Sequence, residues 1–209
     1  MLPTAEVRWF WRGEPPDAAR AWLDQRTGAT VSRATRTDHY LEIATTDALG
    51  IKLREGQIEL KQRMDGPVRR ELADGVRGLT ERWMKWSFEI TTEYQTLGRL
   101  IASDAWVGIK KTRWLKAYRV SPLGDVQPTE QSEGQICTME ITEVSTPASP
   151  GNPWWTLGLE ASGEIGQLTP LLLQVAAELL RPTFPAPLEE VYSYAHPHWL
   201  NLLRKGGDE

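Results

Sequence analysis

The sequence predicts an α+β fold: an antiparallel β-barrel or tunnel, closed or nearly closed, with helices at its periphery. Short segments in which charged and apolar residues alternate recur along the chain, and this is typical of strands because successive side chains point to opposite faces. About eight to ten such segments occur, and Glu55-Gly56-Gln57 joins two of them as a tight turn. That many strands of even length favour closure of the sheet, because a closed barrel has no exposed edges.

The elements follow one another in an order set by their breakers and caps. Pro15 and Pro16 end a first strand, and Asp17 is a good N-cap for a short helix. Apolar residues recur at helical spacing from Thr169 to Leu180, and the prolines beyond them end that helix. Strands are predicted at about 6–11, 33–37, 40–45, 50–55, 58–63, 81–91, 105–112, 113–121, 135–144 and 154–161. Helices are predicted at about 17–25, 91–103 and 169–180, with a last piece at 188–194 or resuming near His198; loops are predicted at 64–79, 121–134 and 145–153.

Length and composition indicate one globular domain. The 209 residues are read as a barrel at about 5–163 followed by a C-terminal helical segment at about 169–200. A net charge of −4 argues against general binding to nucleic acid or acidic membranes, which needs a basic excess. No apolar run reaches the about 20 residues of a membrane span, and no secretory signal opens the chain. We therefore expect a soluble, cytoplasmic protein, with its single cysteine, Cys137, buried in the core rather than in a disulfide.

Cations line up on several of the predicted strands. Lys52 and Arg54 share one face of a strand, and Lys111 and Arg113 share a face of another. Cations on neighbouring strands can surround an anion through charge-assisted hydrogen bonds. The alternative is a solvated sheet face on which Lys and Arg pair with Glu42, Glu59 and Glu89. The candidate anion-binding residues are Lys52, Arg54, Lys61, Lys111 and Arg113, with Arg8, Lys85 and Lys110 as further candidates.

Ten tryptophans are spread along the chain, a high number for this length. Tryptophan buries much apolar surface, so a role in the core and in helix–sheet packing is one interpretation. The other is an aromatic-lined pocket or surface that binds an apolar ligand or a protein partner. The second interpretation supports an alternative function, that of a non-catalytic barrel.

The order of the charged strands resembles the CYTH family, the triphosphate tunnel metalloenzymes. The resemblance covers about residues 5–163 and rests on Ile51-Lys52-Leu53-Arg54, Ile58-Glu59-Leu60-Lys61 and Lys111-Thr112-Arg113. It implies an eight-stranded antiparallel tunnel in which the internal Lys and Arg bind a triphosphate. It also implies that internal glutamates hold Mg²⁺ or Mn²⁺. The glutamates at matching places are Glu6, Glu140 and Glu160, with Glu143 as a further candidate.

The chain departs from the family pattern at the metal-binding positions. The family opens with Glu-x-Glu-x-Lys, whereas this chain has Arg8 for the second glutamate and Phe10 for the lysine. Of the family's closing Glu-x-Glu pair, only Glu160 is kept. A hard cation such as Mg²⁺ prefers carboxylate ligands, so Arg8 favours phosphate binding over metal-dependent hydrolysis. The alternative for the glutamates is that they neutralise the cations.

Together these observations predict a protein that binds a small phosphorylated anion such as tripolyphosphate or an organic triphosphate. If it is an enzyme, the resemblance implies a metal-dependent triphosphate hydrolase. A homodimer is an open alternative, because the helix at 169–180 packs either across the barrel or against a second subunit. His196 and His198 cannot lie one helical turn apart on one face, so we expect surface roles for them rather than a zinc site.

Overall fold

A computed structural model describes residues 1–27, 32–90, 98–99, 101–146, 151–180 and 184–205. Ten strands and three helices are found in these ranges, together with a short 3₁₀ turn at Glu190–Tyr192. The helices are α1 (Asp17–Thr27), α2 (Leu168–Leu179) and α3 (His196–Arg204). The strands are β1 (Leu2–Arg12), β2 (Ser32–Leu41), β3 (Leu49–Arg54), β4 (Gln57–Arg63), β5 (Val68–Ala73), β6 (Val76–Glu89), β7 (Trp106–Val120), β8 (Val126–Thr129), β9 (Ile136–Ser145) and β10 (Trp154–Ser162).

Eight of the strands close into an antiparallel barrel. They pair in the order β1-β10-β9-β7-β2-β3-β4-β6, and pairing of β6 with β1 completes the ring. The two remaining strands lie outside the ring, where β5 pairs with β6 and β8 pairs with β7. The predicted fold class, an eight-stranded antiparallel barrel with peripheral helices, is therefore confirmed.

Several predicted boundaries were wrong. The segments predicted at 33–37 and 40–45 form one strand that ends at Leu41, and the two predicted at 105–121 form the single long strand β7. The predicted loops at 64–79 and 121–134 contain β5, the start of β6 and β8. The β5–β6 hairpin turns at Asp74-Gly75, where Gly75 has a φ of 72°, a conformation that glycine adopts readily. The helix expected at 91–103 lies largely outside the described residues.

The main core lies between the outer face of the barrel and α2. Side chains alternate along β1: Val7, Trp9 and Trp11 are buried in this core, while Glu6 and Arg8 face the interior of the barrel. The apolar stripe of α2 packs against its own barrel, which answers the question left open for that helix. Cys137 is fully buried in the same core, as predicted. No helix among the described residues is both long and apolar enough to cross a membrane.

The C-terminal segment closes one end of the barrel. Trp199 of α3 is fully buried and stacks on Phe10, whose ring centroid lies 5.4 Å away, and Tyr194 stacks on Phe10 at 4.9 Å. The backbone N–H of Tyr194 donates to the carbonyl of Arg8 at 3.1 Å, which ties the segment to β1. Because this aromatic plug fills one end, the interior above it is a pocket with a closed floor.

Candidate functional site

The barrel encloses a cavity of about 140 Å³ that is lined mostly by charged side chains. All eight residues that the sequence singled out as phosphate or metal ligands line this one cavity, although their roles stay predictions. The lining residues that carry charge are Glu6, Arg8, Arg36, Lys52, Arg54, Glu59, Lys61, Lys85, Lys111, Arg113, Glu140 and Glu160.

The cavity is strongly basic in a chain that is acidic overall. Eight cationic side chains and four carboxylates line it, a surplus of four positive charges, whereas the whole chain carries −4. Asp38 is fully buried directly behind this lining and reduces the surplus to three. The cations come from six different strands, and the period of two places them all inside the closed sheet. Such a field attracts a compact polyanion.

One carboxylate bridges two arginines in the wall. Glu140 Oε1 accepts from Arg8 Nη2 at 2.7 Å, and Glu140 Oε2 accepts from Arg113 Nε at 2.8 Å. Burial opposes ionisation of Glu140, but Arg113 and Arg8 outweigh it and hold the pKa of this carboxyl well below its usual range. Arg8 Nη1 also donates to Thr156 Oγ1 at 2.9 Å, so the guanidinium is held at both ends.

A second group joins β1, β4 and β10. Lys61 Nζ lies 2.5 Å from Glu6 Oε2 and 3.2 Å from Glu160 Oε2, so one ammonium is shared by two carboxylates. Burial, together with the negative charge of Glu160, raises the pKa of Glu6. Burial would lower the pKa of Lys61, but the two carboxylates outweigh it and raise that pKa. The ring centroid of Trp83 lies 5.2 Å from Lys61 Nζ, and this cation–π contact stabilises the ammonium.

A third group crosses the hairpin of β3 and β4. Glu59 Oε2 lies 2.8 Å from Lys52 Nζ, and Glu59 also pairs with Arg54. Behind them Asp38 Oδ1 accepts from Arg36 Nε at 3.0 Å. In the first and third groups one carboxylate is shared between two cations, so the guanidinium groups keep N–H donors that a ligand can use.

A fourth group joins the predicted residue Lys111 to two side chains that sequence reasoning missed, Tyr40 and His196. Lys111 Nζ donates to Tyr40 Oη at 2.6 Å and lies 3.0 Å from His196 Nε2. The expected surface role of His196 is wrong, because α3 brings this ring into the cavity lining beside Lys111. Burial, only partly offset by Asp38, lowers the pKa of Lys111 to about 7. Burial and the neighbouring cation Lys111 also lower the pKa of His196 well below its usual value.

The three further candidates for anion binding do not all lie on the same face of the sheet. Arg8 and Lys85 line the cavity, whereas Lys110 is exposed on the opposite face of β7 from Lys111. Glu143 does not line the cavity. Of the three acids suggested as ion-pair partners on a solvated face, Glu59 does pair with cations, but it does so inside the barrel.

The three predicted metal ligands do not fit a metal centre. No group of three or more His, Cys, Asp or Glu residues with the geometry to hold a metal ion occurs among the residues that the structure describes. Glu6 and Glu160 are paired with Lys61, and Glu140 with Arg8 and Arg113. Each of these carboxylates therefore already pairs with a cation where Mg²⁺ would need a free ligand. The ion implied by the resemblance stays a prediction.

The tryptophans serve mainly in packing within the part of the chain that the structure describes. Trp9, Trp11, Trp22 and Trp155 belong to the core under α2, and Trp199 belongs to the plug. The described lining of the main cavity contains no tryptophan. Charged side chains predominate among the residues that line it.

Glu81 gives a stability prediction that depends on pH. This side chain is 4% exposed, and its Oε2 makes no hydrogen bond among the described residues, while Arg63 Nη1 lies 3.7 Å away. Burial and the charge of Glu6 outweigh the effect of Arg63 and raise the pKa of Glu81 to about 7. The folded state therefore holds a proton that the unfolded state releases at lower pH, so stability falls as pH rises through about 7. We expect Glu81→Gln to raise the free energy of unfolding by about 2–3 kcal/mol at pH 8.

Urea unfolding at pH 5 and pH 8 tests this expectation. At pH 5 the gain should be small, because the carboxyl of Glu81 is already protonated in the folded state. Glu143→Gln, outside the cavity lining, removes the same charge and should change stability little at either pH. An equal gain for Glu81→Gln at both pH values would contradict the argument.

Comparisons with known proteins find similarity in structure only. No protein-family model matches the sequence, and no curated protein matches it significantly. Among similar solved structures are a conserved hypothetical protein from Pyrococcus furiosus (TM-score 0.49, 15% identity, 93% of this chain and 98% of that one) and a protein from Pyrococcus horikoshii OT3 (TM-score 0.47, 13% identity, 97% and 99%). A third is a proposed adenylyl cyclase from Hippeastrum described as having a dominant triphosphatase activity (TM-score 0.43, 14% identity, 99% and 96%). The family resemblance is thus unsupported by any family model, and no conclusion about function rests on these likenesses.

Proposed function

We propose that this protein binds a small phosphorylated anion, tripolyphosphate or the triphosphate group of an organic molecule, in the basic cavity of its barrel. The observation that carries the proposal is the surplus of cations on the lining of a single enclosed cavity in an acidic chain. The formal surplus of three to four positive charges, slightly smaller at neutral pH because the pKa of Lys111 is about 7, is similar in size to the charge of a triphosphate. A single phosphate would leave part of the surplus uncompensated.

The donors in the cavity suit phosphate oxygens. Three of the eight lining cations are arginines paired with the shared carboxylates Glu59 and Glu140, and a guanidinium has five N–H donors. The planar fork of arginine matches phosphate geometry, and lysines act as point charges around it. The pairs with carboxylates hold the cations in place before the ligand binds, which lowers the entropic cost of binding.

Calorimetric titration with tripolyphosphate tests the proposal, with Arg54→Ala as the variant. Arg54 lines the cavity, and Glu59 keeps Lys52 as a partner at 2.8 Å when Arg54 is removed, so the fold should survive. Losing one charge-assisted contact should weaken binding about 10- to 100-fold. Lys110→Ala removes the same charge from the exposed face of β7 and should bind as the wild type does.

The outcomes separate the functions that the sequence left open. Saturable binding that weakens with added salt supports an anion-binding cavity. Unchanged affinity in Arg54→Ala and in Lys61→Ala would reject the site. An absence of heat in the wild type, with quenching of tryptophan fluorescence by an apolar probe, would favour the non-catalytic barrel for apolar ligands.

Two further measurements address turnover and oligomeric state. Release of phosphate from tripolyphosphate, with and without Mg²⁺ or Mn²⁺, tests turnover, and sedimentation tests the homodimer.

A further inference from the structure

Arg8 occupies a place in the wall that is shaped for a guanidinium group. The group lies against Gly158 of β10, where an added Cβ would be 2.5 Å from Arg8 Cζ, 2.6 Å from Nη2 and 2.7 Å from Nη1. The nearly equal distances indicate that the guanidinium lies flat on the glycine. Any larger residue at position 158 would displace it, so glycine and arginine at these two positions fit each other.

The guanidinium of Arg8 is buried but retains free donors. The residue is 7% exposed, and its Nε has no hydrogen-bond partner among the described residues. Nη1 donates to Thr156 and Nη2 to Glu140, so two of its five N–H groups are used by protein acceptors in the described part of the chain. Buried donors without acceptors are costly, and an anionic ligand would satisfy them.

Arg113 completes a pair around Glu140. Its Nε donates to Glu140 Oε2 while Arg8 donates to Oε1, so one carboxylate holds two guanidinium groups on its two oxygens. Both arginines line the cavity. The pair carries two positive charges and the bridging carboxylate one negative charge, which leaves a fixed positive charge with N–H donors in the wall.

We propose that Arg8 and Arg113 form a two-arginine subsite that binds one phosphoryl group of a polyphosphate in its metal-free form. This inference rests on the proposed function and specifies the form of the ligand. The arginines supply the positive charge, and Glu140, Thr156 and Gly158 hold Arg8 in position. A polyphosphate already complexed with Mg²⁺ carries less negative charge and gains less from this subsite.

Titration of the whole chain with tripolyphosphate, once in excess EDTA and once in excess Mg²⁺, tests the subsite. We expect saturable binding in EDTA that is at least as tight as binding in Mg²⁺. Binding that occurs only with Mg²⁺ or Mn²⁺ would overturn this inference and leave the proposed function standing. An absence of binding under both conditions would overturn both.

Gly158→Ala tests the position of Arg8. The new Cβ meets the far end of a flexible side chain, so the guanidinium should shift while the fold is kept, and affinity in EDTA should fall about tenfold. Gly108→Ala is the matched control, because its Cβ would lie 3.5 Å from His39, an ordinary contact. Wild-type affinity in a folded Gly158→Ala variant would overturn the proposal.

Arg8→Lys keeps the test decisive if Gly158→Ala does not fold. A lysine ammonium preserves the charge but lacks the planar fork that reaches Glu140 and Thr156 together. We expect about tenfold weaker binding in EDTA with little change in thermal stability. Wild-type affinity in this variant would show that charge alone suffices, and the two-arginine subsite would then be rejected.

Discussion

Lys61→Met is expected to lower the free energy of unfolding by about 2–3 kcal/mol at pH 8, because removing one partner of a partly buried ion pair leaves uncompensated charge. Lys61 is the shared partner of Glu6 and Glu160, whose carboxylates lie 2.5 Å and 3.2 Å from its Nζ. Methionine keeps much of the aliphatic volume over Trp83 and removes the charge. Anion binding should weaken at least tenfold, because two unpaired carboxylates then repel the ligand.

The pH dependence of this loss identifies its cause. Without Lys61, the pKa values of Glu6 and Glu160 in the folded state should lie above their unfolded values. Protonation of Glu6 and Glu160 then stabilises the folded state, and this stabilisation is lost as pH rises. The difference in the free energy of unfolding between Lys61→Met and the wild type should therefore be smaller at pH 5 than at pH 8. Urea unfolding at pH 5 and pH 8 measures it, and the double variant Lys61→Met with Glu6→Gln should recover part of the stability at pH 8. An equal deficit at both pH values would contradict the charge argument.

Trp199→Ala is expected to cost about 3–5 kcal/mol of stability, the usual range for removing a large buried aromatic side chain. Trp199 is fully buried, stacks on Phe10 and makes an edge contact with Trp154 at 6.2 Å. Its removal would leave a cavity in the plug and loosen α3. Since His196 on the same helix lies 3.0 Å from Lys111, the floor of the charged cavity should change as well.

Trp199→Phe is the matched control for the plug. The indole Nε1 of Trp199 has no hydrogen-bond partner among the described residues, so phenylalanine loses volume but no hydrogen bond. We expect it to cost less than half as much as alanine. Urea unfolding of both variants, followed by titration with tripolyphosphate, separates the effect on stability from the effect on binding. A fully stable Trp199→Ala variant would show that α3 does not close the barrel in solution.

The interior faces of the strands were predictable from sequence. Lys52 with Arg54, and Lys111 with Arg113, share a face because side chains alternate along any strand, whatever its neighbours are. The burial of Val7 and Trp9 opposite Arg8 follows from the same rule. The Asp74-Gly75 pair is a typical hairpin turn, so the β5–β6 hairpin could also have been predicted from the sequence, although this segment was predicted as a loop.

The partners of the charged residues could not be predicted in the same way. Glu140 and Arg8 are 132 residues apart in sequence, and His196 meets Lys111 across 85 residues. Nothing local to His196 marks it as a cavity residue, because its position depends on how α3 enters the end of the barrel. Likewise, the resemblance placed Glu6, Glu140 and Glu160 as metal ligands, whereas the structure pairs each of them with cations.

The sequence by itself determined an antiparallel barrel and which cations share a face of each strand, because both follow from the local period of two. Only the tertiary structure decided that these faces meet around one cavity, that α3 closes its floor, and that Arg8 lies flat on Gly158. Those features depend on strand order, register and long-range packing. They are set by the free energy of the whole fold, since no single segment contains both sides of a contact.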